Sequence, residues 1–163
     1  MTRAKPTRNN AAGKDAWLRL DSQLCFALYS SSLAMTKIYK PLLEPLGLTY
    51  PQYLVMLVLW EEDGQSVSAL GQRLQLDSGT LTPLLKRMEA AGLLVRQRSS
   101  QDERRVEVSL TAAGRSLKEQ ALGIPPQLSC AAACTEHELI SLTRRLHELR
   151  DQLTKAALDP AAN

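Results

Sequence analysis

The sequence of 163 residues predicts a mainly α-helical fold carrying one small β-hairpin. Three observations predict it. Apolar residues recur at three- and four-residue intervals through most of the chain, the spacing that places them on one face of a helix. Between Leu94 and Leu110 that period gives way to alternation of apolar and polar residues, as strands require. Residues suited to capping stand ahead of the periodic runs: Ser66 or Ser68, the stretch Asp77 to Thr80, and Thr111. A hydrophobic content of 44% is enough for a packed core, and the length suits one domain or a small domain with a dimerisation element.

Taken in order, residues 1–16 are basic and lack apolar periodicity, so they are expected to be disordered. From Trp17, helical spacing through Leu18, Leu24, Leu28, Leu33, Met35 and Ile38 predicts one long helix ending at Pro41. Breaks at Pro41, Pro45, Gly47 and Pro51 separate it from a strongly apolar helix over Tyr53–Trp60, which Asp63-Gly64 closes. A short helix holding Leu70 and Leu74 follows, then a second from the Asp77–Thr80 stretch to Ala91, before Gly92. Pro83 favours a late start for that second helix, because only the first turn tolerates a missing N–H; otherwise it kinks the helix. Leu94 and Val95, then Val106, Val108 and Leu110, predict two strands joined by a charged turn from Ser99 to Glu103. Thr111 opens a helix through Leu122. After Ile124-Pro125-Pro126 the helix resumes, breaks near Thr135, and ends in a stripe of Leu139, Leu142, Leu146, Leu149 and Leu153 that suits an intrachain core or a partner helix.

The formal charge of +3 is unevenly spread. Residues 1–14 carry +4, residues 66–111 carry +2, and the remainder is negative. Basic charge in a tail and a central segment is where a nucleic-acid contact is sought; the alternative is a solvated face. No apolar run reaches the length of about eighteen residues expected of a membrane span, and the basic start has no apolar segment behind it, so a cytoplasmic location is expected. The three cysteines are odd in number, which leaves a free thiol under any intramolecular pairing.

A short helix, a tight connection and a second helix, followed at once by a hairpin with a basic tip, make a winged helix-turn-helix. The second helix fits the major groove of DNA, and the hairpin beside it reaches phosphates and the minor groove. The stretches "LTYPQYLVMLVL" and "VSALGQRLQLDSGTLTPLLKRMEAAGLLVRQRSSQDERRVEVSLTAAG" resemble the MarR family of dimeric winged-helix transcription regulators over nearly all of the chain after the tail. The most specific pieces are "LDSGTLTPLLKRMEAAGL" and the D-x-R pair Asp102 and Arg104. The resemblance implies a dimerisation helix and linker in 17–50, a DNA-binding domain in 51–110 and dimerisation helices in 111–163. It further implies a recognition helix from about Ser78 to Ala91. Ser78, Thr80 and Thr82 would meet bases or phosphates, with Lys86 and Arg87 reaching the backbone. Arg98, Asp102, Arg104 and Arg105 would serve the wing, Arg104 entering the minor groove.

Cys25 lies within "LDSQLCFALYSSS", where a free cysteine often serves as a small apolar side chain. The pattern "QLCFALY" with Tyr39, Tyr50, Cys130 and Cys134 resembles the two-cysteine organic-hydroperoxide sensors of the MarR family. That resemblance implies that Cys25 is the oxidised thiol, that Tyr39 and Tyr50 donate hydrogen bonds to its thiolate, and that Cys130 resolves its sulfenic acid as a disulfide. Cys134 has no assigned place. Tyr39 is fourteen residues after Cys25, about 21 Å along a straight helix, so the two cannot meet within one helix. A partner subunit must supply the phenol.

Expected partners are therefore operator DNA, an organic hydroperoxide and a second copy of the chain, with no cofactor, metal or membrane. Two other regulators stay open, one released by an aromatic carboxylate and one responding to zinc through Cys130, Cys134 and His137. A thiol peroxidase is the enzymatic alternative, against which no C-x-x-C stands in the sequence.

Overall fold

The computed structural model describes residues 15–98 and 105–158. Two short 3-10 turns, Ala16–Leu18 and Leu20–Ser22, precede the first α-helix, α1, which spans Leu24–Leu43. Arg19 and Gln23 are extended and interrupt the helical run expected from Trp17. Cys25 accordingly stands in the first turn of α1 rather than in mid-helix. At the other end α1 continues through Pro41, because Leu43 is fully buried in the core and its packing outweighs the missing hydrogen bond.

A 3-10 turn, Glu44–Leu46, and a left-handed Gly47 (φ 65°) lead into α2, Tyr50–Glu61. This helix starts three residues ahead of the expected Tyr53. Thr49 and Gln52 form a capping box in which Gln52 Oε1 accepts the Thr49 amide at 2.8 Å, and Pro51 falls in the first turn, where no N–H is needed.

Strand β1 is only Gln65–Ser66. Helix α3 spans Val67–Leu74, its first turn capped by Ser66 Oγ, which accepts the Ala69 amide at 3.1 Å. Helix α4 spans Ser78–Ala90, and Asp77 caps it by accepting the Thr80 amide at 2.9 Å. Pro83 lies inside α4, so the late start expected from it does not occur; Leu81, Leu84, Leu85 and Met88 are all buried and hold the helix in place. Strands β2 (Leu94–Arg98) and β3 (Val106–Leu110) pair antiparallel from Leu94 opposite Leu110 to Arg98 opposite Val106. β1 adds a third strand on the far edge of β3, in the order β1-β3-β2, with Gln65 opposite Val108.

Thr111 caps α5, Ala112–Ala121, by accepting the Gly114 amide. Helix α6, Ile124–Ala131, carries Pro125 and Pro126 in its first turn, where a missing N–H costs no intrahelical bond. Beyond its C-cap Ala132, Ala133 is left-handed at φ 50°, and α7, Glu136–Leu158, follows.

One hydrophobic core gathers Leu43 from α1, the inner face of α2, Leu70 of α3, the four buried residues of α4, Leu94, Val108 and Leu110 of the sheet, and Ala121 and Ile124. The front half of α1 and all of α7 contribute nothing buried. No single helix among the described residues is long and apolar enough to cross a membrane.

Candidate DNA-binding face and thiol site

The helix-turn-helix positions its polar residues by burying the opposite face of α4. Gly79, Thr80, Pro83, Lys86, Arg87 and Ala90 form the outer face, while Ser78 and Thr82, one turn apart, look into an open groove of about 870 Å³ between α3, α4 and the base of the wing. Ser66, Ser68, Gln72, Gln75, Arg96 and Arg105 share the groove lining. Thr80 is differently placed from its two neighbours. Its hydroxyl donates to Asp77 Oδ2 at 2.9 Å, and the same carboxylate takes the Thr80 amide. Those two bonds hold the Asp77 carboxyl below the usual carboxylate range.

Lys86 and Arg87 are exposed, and among the described residues no carboxylate pairs with either. Arg98 is exposed at the end of β2, and Arg105 lies just ahead of β3. Asp102 and Arg104 fall outside the described residues. Sequence reasoning missed Arg96 and Glu89, which are joined by three hydrogen bonds: Glu89 Oε1 accepts the Arg96 amide at 2.9 Å, and Oε2 accepts Arg96 Nε at 2.9 Å and Nη2 at 2.7 Å.

The wing is tied to the rest of the chain through Asp63. Its Oδ1 accepts the amides of Gly64 at 2.9 Å and Leu110 at 2.8 Å, and its Oδ2 accepts Arg115 Nη2 at 2.6 Å. Burial alone would raise this carboxyl. The Leu110 amide, the Arg115 guanidinium and the Gly64 amide outweigh it and hold the carboxyl low.

The thiol site is built from two separate parts of one chain. Cys25 is exposed in the first turn of α1, where Gln23 offers no side-chain cap. Fourteen residues on, Tyr39 stacks on Tyr50 with ring centroids 4.8 Å apart. Tyr53, which the sequence did not single out, makes a third ring 5.6 Å from Tyr39. Burial, then the neighbouring Tyr53 and Tyr50, push the Tyr39 phenol up to about 12, and burial raises Tyr50 as well. Both therefore keep their protons at neutral pH and remain donors. Neither hydroxyl is hydrogen-bonded among the described residues. Beside Tyr50, an open and mostly apolar hollow of about 550 Å³ is lined by Thr36, Lys37, Lys40, Leu48 and Pro51 among others.

Cys130 is exposed near the end of α6, and α6 packs against α1. Cys134 is half-buried and stands beyond the helix, not on a common helical face with Cys130. The Ala133 amide bonds to Cys130 O at 3.1 Å and the Cys134 amide to Ser129 O at 3.4 Å, the paired bonds of a Schellman cap. Its Sγ donates to Ala132 O at 3.3 Å. Among the described residues of one chain, no three His, Cys, Asp or Glu side chains, Cys130, Cys134 and His137 included, are grouped as metal ligands.

The leucine stripe of α7 is not an intrachain core. Leu142 and Leu153 are 53% and 55% exposed, and Leu24, Tyr29 and Leu33 of α1 are exposed too.

Comparison with known proteins gives a consistent picture. The profile of the family described as transcriptional regulator SarA/Rot matches residues 37–121. The organic hydroperoxide resistance transcriptional regulator of Bacillus subtilis (strain 168) is 50% identical over 136 residues, 83% of this chain and 92% of that protein. Among solved structures, AbfR of Staphylococcus epidermidis matches with a TM-score of 0.72 at 37% identity, covering 87% of this chain and 98% of that one. Reduced AbfR bound to DNA gives 0.69 at 35% identity over 89% and 99% of the two chains, and disulfide-formed AbfR gives 0.56 at 35% over 86% and 98%.

Proposed function

Because this chain belongs to the SarA/Rot family of transcriptional regulators, of the MarR type, we propose that it is a homodimeric, redox-sensing repressor that leaves operator DNA when an organic hydroperoxide oxidises Cys25. One observation carries the reading. An exposed thiol in the first turn of α1 lies on the same helix as Tyr39, whose ring packs on Tyr50 of α2; both hydroxyls are unengaged, and helix length separates Cys25 from Tyr39 by about 21 Å. A twofold partner that brings its Tyr39 and Tyr50 to Cys25 completes the site twice.

The helix N-terminus and two phenolic donors stabilise the thiolate. The thiolate attacks the peroxide oxygen, giving a sulfenic acid and releasing the alcohol; the Cys130 thiol of the partner subunit then displaces water to form the disulfide. The apolar hollow beside Tyr50 offers room for the organic part of the peroxide. Ser78 and Thr82 from α4, Lys86 and Arg87 along it, and Arg98, Asp102, Arg104 and Arg105 of the wing serve DNA, with residues 51–110 as the DNA-binding unit and 17–50 and 111–163 forming the dimer. A hundredfold loss of operator affinity requires only about 2.7 kcal/mol of differential stability between reduced and oxidised dimers. The protein reacts once per signal in the cytoplasm and is not an enzyme.

The test is a gel shift on the DNA upstream of the chain's own gene, with and without an organic hydroperoxide, comparing wild type with Cys25→Ser. Wild type is expected to release DNA and the variant to hold it. Equal release by both would overturn the redox reading.

A further inference from the structure

The connection from the recognition helix to the wing is short, and something must fix the angle between them. After Ala90 the chain turns at the left-handed Gly92 (φ 72°), with the Leu93 amide bonded to Met88 O at 3.1 Å, and enters β2 at Leu94. Among the described residues β2 is an edge strand, paired to β3 alone, so its outward amides have no strand there to bond. At Arg96 the outward amide is taken by Glu89 from the last turn of α4, and the same carboxylate grips the Arg96 guanidinium twice. These three bonds close the loop between residues 89 and 96, holding Glu89 as a carboxylate below its usual range through the Arg96 side chain and then its amide.

The guanidinium of Arg96 is thereby occupied. Its side chain is 23% exposed, although it borders the groove that faces DNA in the reading above. A cation held in this way by a carboxylate is poorly suited to neutralise a phosphate.

We propose that Glu89 is a positioning residue for operator binding: it locks Arg96, and with it the base of the wing, onto the last turn of α4, so that recognition helix and wing meet the duplex as one rigid unit. The proposal rests on the DNA-binding reading above. Neither residue contacts DNA; their effect is to present Ser78, Thr82, Lys86 and the wing arginines at a fixed mutual geometry.

The experiment measures operator affinity at several salt concentrations and hydroxyl-radical footprints for full-length wild type, Glu89→Ala, Glu89→Gln, Arg96→Gln and Lys86→Ala. Glu89→Ala is expected to weaken binding about tenfold or more and to lose protection at the outer minor-groove positions while keeping it in the major-groove half-sites. Glu89→Gln, which retains an acceptor for the Arg96 amide, is expected to fall between Glu89→Ala and wild type. Arg96→Gln is expected to weaken binding with an unchanged slope of log affinity against log salt, whereas Lys86→Ala lowers the slope by about one. The proposal is overturned if Glu89→Ala binds as wild type does, if its protection fades uniformly across the site as a merely unstable fold would show, or if Arg96→Gln lowers the slope as Lys86→Ala does. If wild type itself fails to bind the operator duplex, the DNA-binding reading falls first, and the two failures are distinct.

Discussion

Tyr39 holds its proton more tightly than a solvated phenol, because burial and two neighbouring rings penalise the phenolate. Between the ordinary phenol value of about 10 and the folded value of about 12, the unfolded chain releases this proton while the folded chain keeps it. The contribution of Tyr39 to stability is thus complete below the lower value and falls as pH climbs through that window. Urea midpoints taken at about pH 9 and about pH 11 should drop for wild type and drop less for Tyr39→Phe. Gly114 is constrained by space instead. A Cβ there would run into Leu93 O and lie 3.1 Å from Leu110 Cδ2, and its own carbonyl accepts Trp60 Nε1 at 3.0 Å. Gly114→Ala is expected to cost about 2–3 kcal/mol, read as a lowered urea midpoint, since the obstructing atom is backbone and cannot step aside.

At the level of elements, α6 closes on a residue ill suited to its conformation. Ala133 occupies the left-handed position of a Schellman cap, where glycine carries no Cβ penalty, so Ala133→Gly is expected to stabilise the protein by about 0.5–1 kcal/mol in urea denaturation. The helices and the hairpin were legible from apolar period and from caps such as Asp77 and Thr111, because both act within a few residues of chain. The ends of α1 were not. Trp17 and Leu18 fit the helical spacing yet are 78% and 84% exposed, and spacing cannot distinguish a face turned to a core from one turned elsewhere. β1 escaped notice because two residues show no alternation. Pro83 and Pro41 sit inside helices whose buried leucines outweigh local propensity. Ser78 and Thr82 were singled out through the family resemblance, and both line the groove between α3, α4 and the base of the wing. The Thr80 hydroxyl is taken by the local cap at Asp77, whereas the grip of Glu89 on Arg96 depends on how α4 docks against β2, which no local pattern encodes.

Across the whole molecule, the exposed leucines of α7 and the front of α1 make an apolar surface that a single chain leaves in water. Leu142→Glu combined with Leu146→Glu is expected to yield monomers in sedimentation equilibrium and to lower operator affinity at least a hundredfold, since two half-sites would be read independently. The rigid length of α1 has a further effect on inheritance of activity. If each sensing centre takes its sulfur from one subunit and its rings from the other, a Cys25→Ser copy and a Tyr39→Phe copy fail in complementary ways. A mixed pair would still contain one intact centre, drawing Cys25 from the second copy and Tyr39 from the first. Cells carrying both alleles should regain peroxide-triggered derepression that neither allele supports alone, and co-expression with a reporter gene would score it directly.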